Sequence, residues 1–285
     1  MTLEYPAILD RGMRGQRLQY DAQDAMLYAL AIGAGSPPDD KELYFVYEKN
    51  LRIIPSFAST VAWHAGLSIQ QLGLNYERTL HAAEEIILHR PLPSAAKLLV
   101  DTSIKAVYDK GKDSGALIVR EAQLIDAADL QPIATVRKTL FARSDGGCGG
   151  TVNEAPQSQS MPQRARDKSL RILTRPDQAL LYRLCGDCNP LHADPTVAHT
   201  AGFDGPILHG LCTYGIACHA IVREFCDNDP AKIYSHSVRF AAPVYPGDIL
   251  TIDLWRDGNV ILFEVRVNAR AVTVIRNGKT VLRAD

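Results

Sequence analysis

The sequence has little that would carry it into or onto a membrane. No apolar stretch approaches spanning length without polar interruption, and the opening Met1-Thr2-Leu3-Glu4-Tyr5-Pro6 has no basic segment followed by an apolar one. Neither a transmembrane helix nor a secretory leader is expected. Charge of one sign is lacking as well: 31 Lys and Arg face 32 Asp and Glu, for a formal net charge of -1. That balance argues against nucleic acid or a membrane surface as a partner. Cysteine is scarce and confined, all six lying between Cys148 and Cys226. Several fall in a segment that reads as a buried helix, which fits reduced thiols better than a secreted disulfide framework. The final Val281-Leu282-Arg283-Ala284-Asp285 carries no Ser-Lys-Leu address. A cytoplasmic protein is the expectation. What is present, 46% hydrophobic and 22% charged residues over 285 positions, can bury a sizeable core in one large or two small domains.

Chemistry concentrates in the run Tyr182-Arg183-Leu184-Cys185-Gly186-Asp187-Cys188-Asn189-Pro190-Leu191-His192-Ala193-Asp194-Pro195. Ahead of it, Thr174-Arg175-Pro176-Asp177 resembles a capping box. This predicts a short helix with Leu180, Leu181 and Leu184 on its apolar side and Gly186 as its stop. A residue before proline is pushed out of the α region, so Asn189 is expected to be extended and Leu191-His192 to turn back. Asp187 and His192 then converge on one small volume, with the Asn189 amide nearby. A carboxylate and an imidazole so held can grip one water and shuttle a proton at neutral pH. The plainer alternative is a solvated turn, since Asp and Asn commonly follow helices as turn formers. Cys185 and Cys188 have redox spacing but close a helix, where the dipole disfavours a thiolate. A zinc site on Cys185, Cys188 and His192 would lack a second ligand pair at finger or ribbon spacing.

Gly205-Pro206-Ile207-Leu208-His209-Gly210-Leu211 opens a long apolar segment running to Phe225. Leu211, Tyr214, Cys218, Ile221, Val222 and Phe225 recur at helical spacing, the mark of a largely buried helix. Its small residues, Gly210, Gly215, Ala217 and Ala220, allow close approach of other backbone or a ligand. The Gly210 amide would sit unpaired in the first turn, where it can polarise a carbonyl oxygen. Simple helix packing is the alternative.

A faint repeat appears at about half the chain length. Asp24-Ala25-Met26-Leu27-Tyr28-Ala29-Leu30 echoes Asp177 to Leu184, and Arg90-Pro91-Leu92-Pro93 echoes Ala242-Pro243-Val244-Tyr245-Pro246. Strand-like segments follow each copy: 97–108, 116–125 and 132–141, then 235–240, 249–256, 260–269 and 271–276. Turn signals at Lys110-Gly111-Lys112, Asp257-Gly258-Asn259 and Asn277-Gly278 would join antiparallel neighbours. Each half thus reads as a short helix, a longer helix and a meander of strands. The boundaries expected are 1–145 for the first unit, 146–168 for a Gly-, Ser-, Gln- and Pro-rich join, and 169–285 for the second.

The run from Tyr182 to Pro195, Gly205 to Leu211, and Val238-Arg239-Phe240-Ala241-Ala242-Pro243-Val244-Tyr245-Pro246-Gly247-Asp248 resemble the MaoC-like hydratases. The likeness is to their two-domain branch, the R-specific 2-enoyl-CoA hydratases. Arg90 to Pro93, Tyr108-Asp109-Lys110-Gly111-Lys112 and Thr139-Leu140-Phe141-Ala142-Arg143 resemble that branch's N-terminal part. The resemblance spans nearly the whole chain and implies an α+β double hotdog, two antiparallel sheets each wrapping a central helix. The first half carries Ile32-Gly33-Ala34-Gly35-Ser36-Pro37-Pro38 where the second has its acid and imidazole. The resemblance therefore makes the first half a non-catalytic pocket for the acyl chain, with 55–63, including Phe57 and Trp63, as candidate wall; plain core is the alternative. His81 is followed by Ala82-Ala83-Glu84 in place of the family's His-Gly-Glu, which puts a role for it in doubt.

The resemblance implies reversible hydration of a trans-2-enoyl-CoA to a (3R)-3-hydroxyacyl-CoA, with no bound metal or cofactor. Asp187 and His192 would hold the water, Asn189 would orient it, and the Gly210 amide would bind the thioester oxygen. Which of Asp187 and His192 is base and which acid stays open. Arg239 is a candidate for a CoA phosphate, against a surface ion pair, and His209 for shaping the Gly210 turn. His64, His89, His199, His219 and His236 have no constellation. A homodimer follows from the family's habit. The rivals are an acyl-CoA thioesterase and a non-catalytic acyl-CoA-binding hotdog protein.

Overall fold

The computed structural model describes residues 3–152 and 160–284. Met1, Thr2 and Asp285, and residues 153–159 of the expected join, lie outside the described residues. The first half runs β1 (Gly12–Tyr20), α1 (Ala22–Ala31), α2 (Leu43–Val46), α3 (Phe57–Val61), β2 (Thr79–Leu88), β3 (Ala96–Asp109), β4 (Ala116–Asp126) and β5 (Pro132–Ala142). The second runs β6 (Lys168–Leu173), α4 (Gln178–Tyr182), α5 (Pro195–Thr200), α6 (Gly210–Phe225), β7 (Ile233–Phe240), β8 (Ile249–Asp257), β9 (Val260–Val267) and β10 (Val272–Leu282).

The strand order is β1-β3-β4-β5-β2-β7-β10-β9-β8-β6, so each half repeats the other's order from the opposite edge. This is a double hotdog. Its two antiparallel sheets are not separate: β2 pairs with β7 from Ala83↔Arg239 to Ile87↔Ser235, making one ten-stranded sheet. The join works because both strands can pair on two sides, β2 with β5 and β7 with β10.

In the second half α6 is the central helix, and every residue from Leu211 to Val222 is buried. Gly215 is required there, since a Cβ would lie 2.6 Å from the Tyr28 hydroxyl and 2.8 Å from Ile32 Cγ2 of the first half. In the first half the stretch expected to replace this helix forms only the five-residue α3. The helix that does start well is α1, where Asp21 accepts from the Gln23 and Asp24 amides and Asp24 reciprocates.

Local expectations are corrected in three places. Thr174 makes no capping box; its hydroxyl donates to the Asp248 carbonyl at 2.8 Å and accepts from the Gly247 amide at 2.9 Å, and α4 starts at Gln178. Leu180 and Leu184 are exposed, and the buried face of α4 is Gln178, Ala179 and Tyr182. Gln178 also ties the halves together, donating to the Ala31 carbonyl at 3.0 Å. Asn277-Gly278 is no turn: β10 runs through it with register shifts on both sides, a bulge that the positive φ of Asn277 permits.

Candidate active site

Gly186 ends the turn after α4 at φ 124°, a conformation open to glycine, and a Cβ there would meet the His64 ring at 3.1 Å. Asp187 follows, half-buried, its carboxylate accepting the Asn189 amide N–H at 3.2 Å. Asn189 is extended, as its proline neighbour requires, and its side-chain oxygen caps the next turn by accepting from Leu191 N at 3.0 Å. That commits the oxygen and leaves the side-chain NH2 without a partner among the described residues. The turn Pro190–His192 then brings His192 into the interior.

His192 Nδ1 donates to the Ile207 carbonyl at 2.8 Å, which leaves Nε2 as the acceptor in the neutral ring. Burial pushes its pKa below the ordinary histidine value. His209, 1% exposed, donates from Nε2 to the Asp187 carbonyl at 3.0 Å, and its Nδ1 has no partner. Burial, with the like charge His192 would carry, holds His209 down to about 4. The two rings stack with centroids 3.7 Å apart and planes 27° apart. One donor atom from each of Asp187, His192 and His209 lies within 4.8 Å of the others. These are also the kinds of donor a metal uses, though His192 Nδ1 and His209 Nε2 are already given to the Ile207 and Asp187 carbonyls.

Gly210 begins α6, and its amide, like that of Leu211, has no partner among the described residues. Gly210 is exposed, and a Cβ would press on the Phe240 ring at 3.2 Å. The structure thus brings Asp187, Asn189, His192, His209 and the α6 start into one place. It does not bring Phe57 there; that ring is core, 5.1 Å from Tyr20 and 5.3 Å from Tyr28. Arg239 is exposed on β7 with no ion-pair partner among the described residues. Trp63 lies nearer, its ring 6.2 Å from His81, which in turn packs 4.9 Å from Phe240.

The first half supplies more than the sequence reading found. His64 Nε2 donates to the Gly186 carbonyl at 3.0 Å, directly beside Asp187. Burial, with the charge of Asp187, raises the pKa of Tyr76, and the field of Asp187 reaches Lys138 on β5. No local spacing announces these residues, because only the join of the halves puts them opposite the turn. The other histidines have structural partners: His236 with Thr280, His89 with Thr135, and His219 with Glu42. All six cysteines are free, and burial lifts the Cys185 thiol to about 12, which removes the redox reading.

The sequence profile of the MaoC like domain matches residues 157–278, and that of the MFE-2 hydratase 2 N-terminal domain matches 18–144. Enoyl-CoA hydratase ChsH3 of Mycobacterium tuberculosis is 34% identical over 98% of both chains. The chain belongs to the MaoC-like, hydratase 2 family. Another hydratase 2 relative, the peroxisomal enoyl-CoA hydratase 2 of Arabidopsis thaliana, is 36% identical over 91% of this chain and 89% of its own. Among solved structures, a MaoC-like dehydratase from Phytophthora capsici superimposes with a TM-score of 0.86 at 30% identity, covering 98% of each chain. The cytoplasmic expectation is corrected here. Relatives from Mus musculus, Drosophila melanogaster, Neurospora crassa and Saccharomyces cerevisiae, like the Arabidopsis one, are named peroxisomal, so the lack of a Ser-Lys-Leu ending does not assign a cytoplasmic location.

Proposed function

We propose that the protein adds water reversibly across the double bond of a trans-2-enoyl-CoA to give a (3R)-3-hydroxyacyl-CoA, with Asp187, His192 and Gly210 carrying the reaction. The single observation behind the assignment of residues is the span of at most 4.8 Å between the Asp187 and His192 donor atoms beside an unpaired helix-start amide. Two hydrogen bonds of ordinary length meeting at a tetrahedral angle span about 4.6 Å, so the pair has the spacing for one bridging water. Membership of the hydratase 2 family supports the choice of reaction.

The water's oxygen bonds to C3 while its proton passes to the Asp187–His192 pair, and the pair returns one proton to C2 on the same face. Electron density that leaves the double bond reaches the thioester oxygen, where the Gly210 N–H donates to it at the positive end of α6. His192 is suited to proton transfer because burial keeps it neutral at pH 7 with Nε2 unprotonated. The Asn189 NH2, free of the backbone, orients the water. His209 holds the Asp187 backbone and backs the His192 ring. Arg239, exposed and unpaired, is kept as the phosphate contact for CoA. The units 1–145 and 169–285, joined by 146–168, divide acyl binding from chemistry. A homodimer would cover Leu30, Leu180 and Leu184, which are exposed on adjoining helices.

The test is hydration of a panel of trans-2-enoyl-CoAs, from four carbons to long and branched chains, with chiral analysis of the product. Formation of the 3R alcohol is expected. Release of free CoA from saturated acyl-CoA without hydration would instead make the protein a thioesterase.

A further inference from the structure

The half without the acid and imidazole holds an unspent cation. Lys138 places its ammonium 3.6 Å from the centroid of the Trp63 ring and has no hydrogen-bonding partner among the described residues. Around it, Arg120 makes one bond, from Nη2 to the Ala65 carbonyl at 3.1 Å. Glu84 and Ser59 are each 1% exposed; Glu84 gives one carboxylate oxygen to His81 while its other oxygen has no hydrogen-bond partner among the described residues. Glu121 is already occupied by Arg137 and Lys105.

Lys138, Arg120, Ser59 and Thr102 line a cavity of about 20 Å³, room for one water or one carboxylate oxygen. Glu121 also lines the space but is engaged by Arg137 and Lys105, and Glu84 faces Lys138 across the strand register, so Lys138 and Arg120 share one otherwise uncommitted carboxylate. Burial brings Lys138 down to about 8 although Glu84 and Asp187 pull the other way, the mark of an ammonium held away from bulk water. A continuous wall of rings, Phe240, His81 and Trp63, leads from Gly210 to it. In the hydratase reading, an acyl chain with its thioester at Gly210 and its C3 beside Asp187 would have this wall along its path toward Lys138.

We propose that Lys138 binds a second carboxylate on the acyl chain, so that the preferred substrate is a carboxyl-bearing enoyl-CoA and not one ending in plain alkyl. The proposal rests on the hydratase reading above. Lys138 stands across the strand register from Glu84 but makes no ion pair or hydrogen bond with it among the described residues, so its N–H donors are open to a substrate carboxylate. A charge-assisted hydrogen bond in a partly desolvated crevice is strong enough to set specificity.

The experiment compares trans-2-enoyl-CoAs of equal length ending in carboxylate or methyl, by kcat/KM, and the matching saturated CoA thioesters by calorimetric Kd, with wild type, Lys138→Met and Lys138→Arg. Wild type is expected to prefer the carboxylate at some length between six and ten carbons. Lys138→Met should lower the carboxylate-to-methyl ratio by about 10- to 100-fold, and Lys138→Arg should retain most of it. No preference at any length, or a preference that survives Lys138→Met, overturns the proposal. Failure to hydrate either substrate overturns the hydratase reading, and the Kd ratio then decides the Lys138 site by itself.

Discussion

His192 and His209 lie ring on ring, 3.7 Å between centroids, with the second ring's Nε2–H given to the backbone carbonyl of Asp187. His209 therefore touches both members of the proposed proton-handling pair, supporting one ring from behind and fixing the other residue's main chain. His209→Gln removes the support and leaves Asp187 and His192 in the sequence. A loss of about 10- to 100-fold in kcat is expected from misplacement, with circular dichroism and the thermal midpoint near those of wild type.

Replacement of either member of the pair tests the chemistry directly. Asp187→Asn and His192→Gln should each lower kcat/KM for crotonyl-CoA or a longer enoyl-CoA by about 10²- to 10⁴-fold. A folded variant that hydrates as fast as the parent would remove that residue from the site.

The acid limb of activity follows from burial. If the pair takes the water's proton on His192, as the proposed reaction allows, that ring must be neutral, and burial holds its pKa below the usual histidine value. The neutral form thus persists on acidification past pH 6.5, and kcat/KM should stay flat through neutrality and fall only below that value. A limb centred above pH 7 would contradict the burial argument.

Gly210 separates an amide effect from a packing effect. Gly210→Ala keeps the N–H and presses on the Phe240 ring, while Gly210→Pro, tolerated at a first helical position, removes the donor. The proline variant should lose about 10²- to 10³-fold in kcat, and the alanine variant far less. Equal losses would point to packing alone.

Acid stability reports on a different histidine. His236, buried against Phe263 and bonded to Thr280, is held down to about 3. The folded state therefore takes up this proton less readily than the unfolded chain. Stability is full above about pH 6.5, the unfolded value, and declines as pH falls toward the folded one, by on the order of 3 kcal/mol at pH 4. Urea midpoints measured against pH should show this decline, and His236→Phe should flatten it.

The parts legible in the sequence were those set by neighbours along the chain. Pro190 fixes Asn189, Gly186 ends a turn, and the apolar spacing from Leu211 to Val222 marks the buried helix. The repeat of the halves was readable and the double hotdog followed from the family resemblance, but β1, β2 and β6 were not marked. What escaped depends on contacts far apart in sequence. Leu180 and Leu184 look like a buried face, but Gln178 and Tyr182 take it because α1 lies on that side. Thr174 has the pattern of a cap but is drawn to the Asp248 loop. Lys138 carries no signal in the sequence, and it is the pairing of β5 with β2 and of β2 with β7 that brings its strand into the field of the Asp187 turn.

That meeting of strands also governs which copies work together. Two unlinked hotdog units with matching edges would assort into like and unlike pairs, and only an unlike pair sets Lys138 within the field of Asp187. Covalent connection makes the unlike pair obligatory, so one copy is free to give up its acid and imidazole without ever meeting a partner that has done the same.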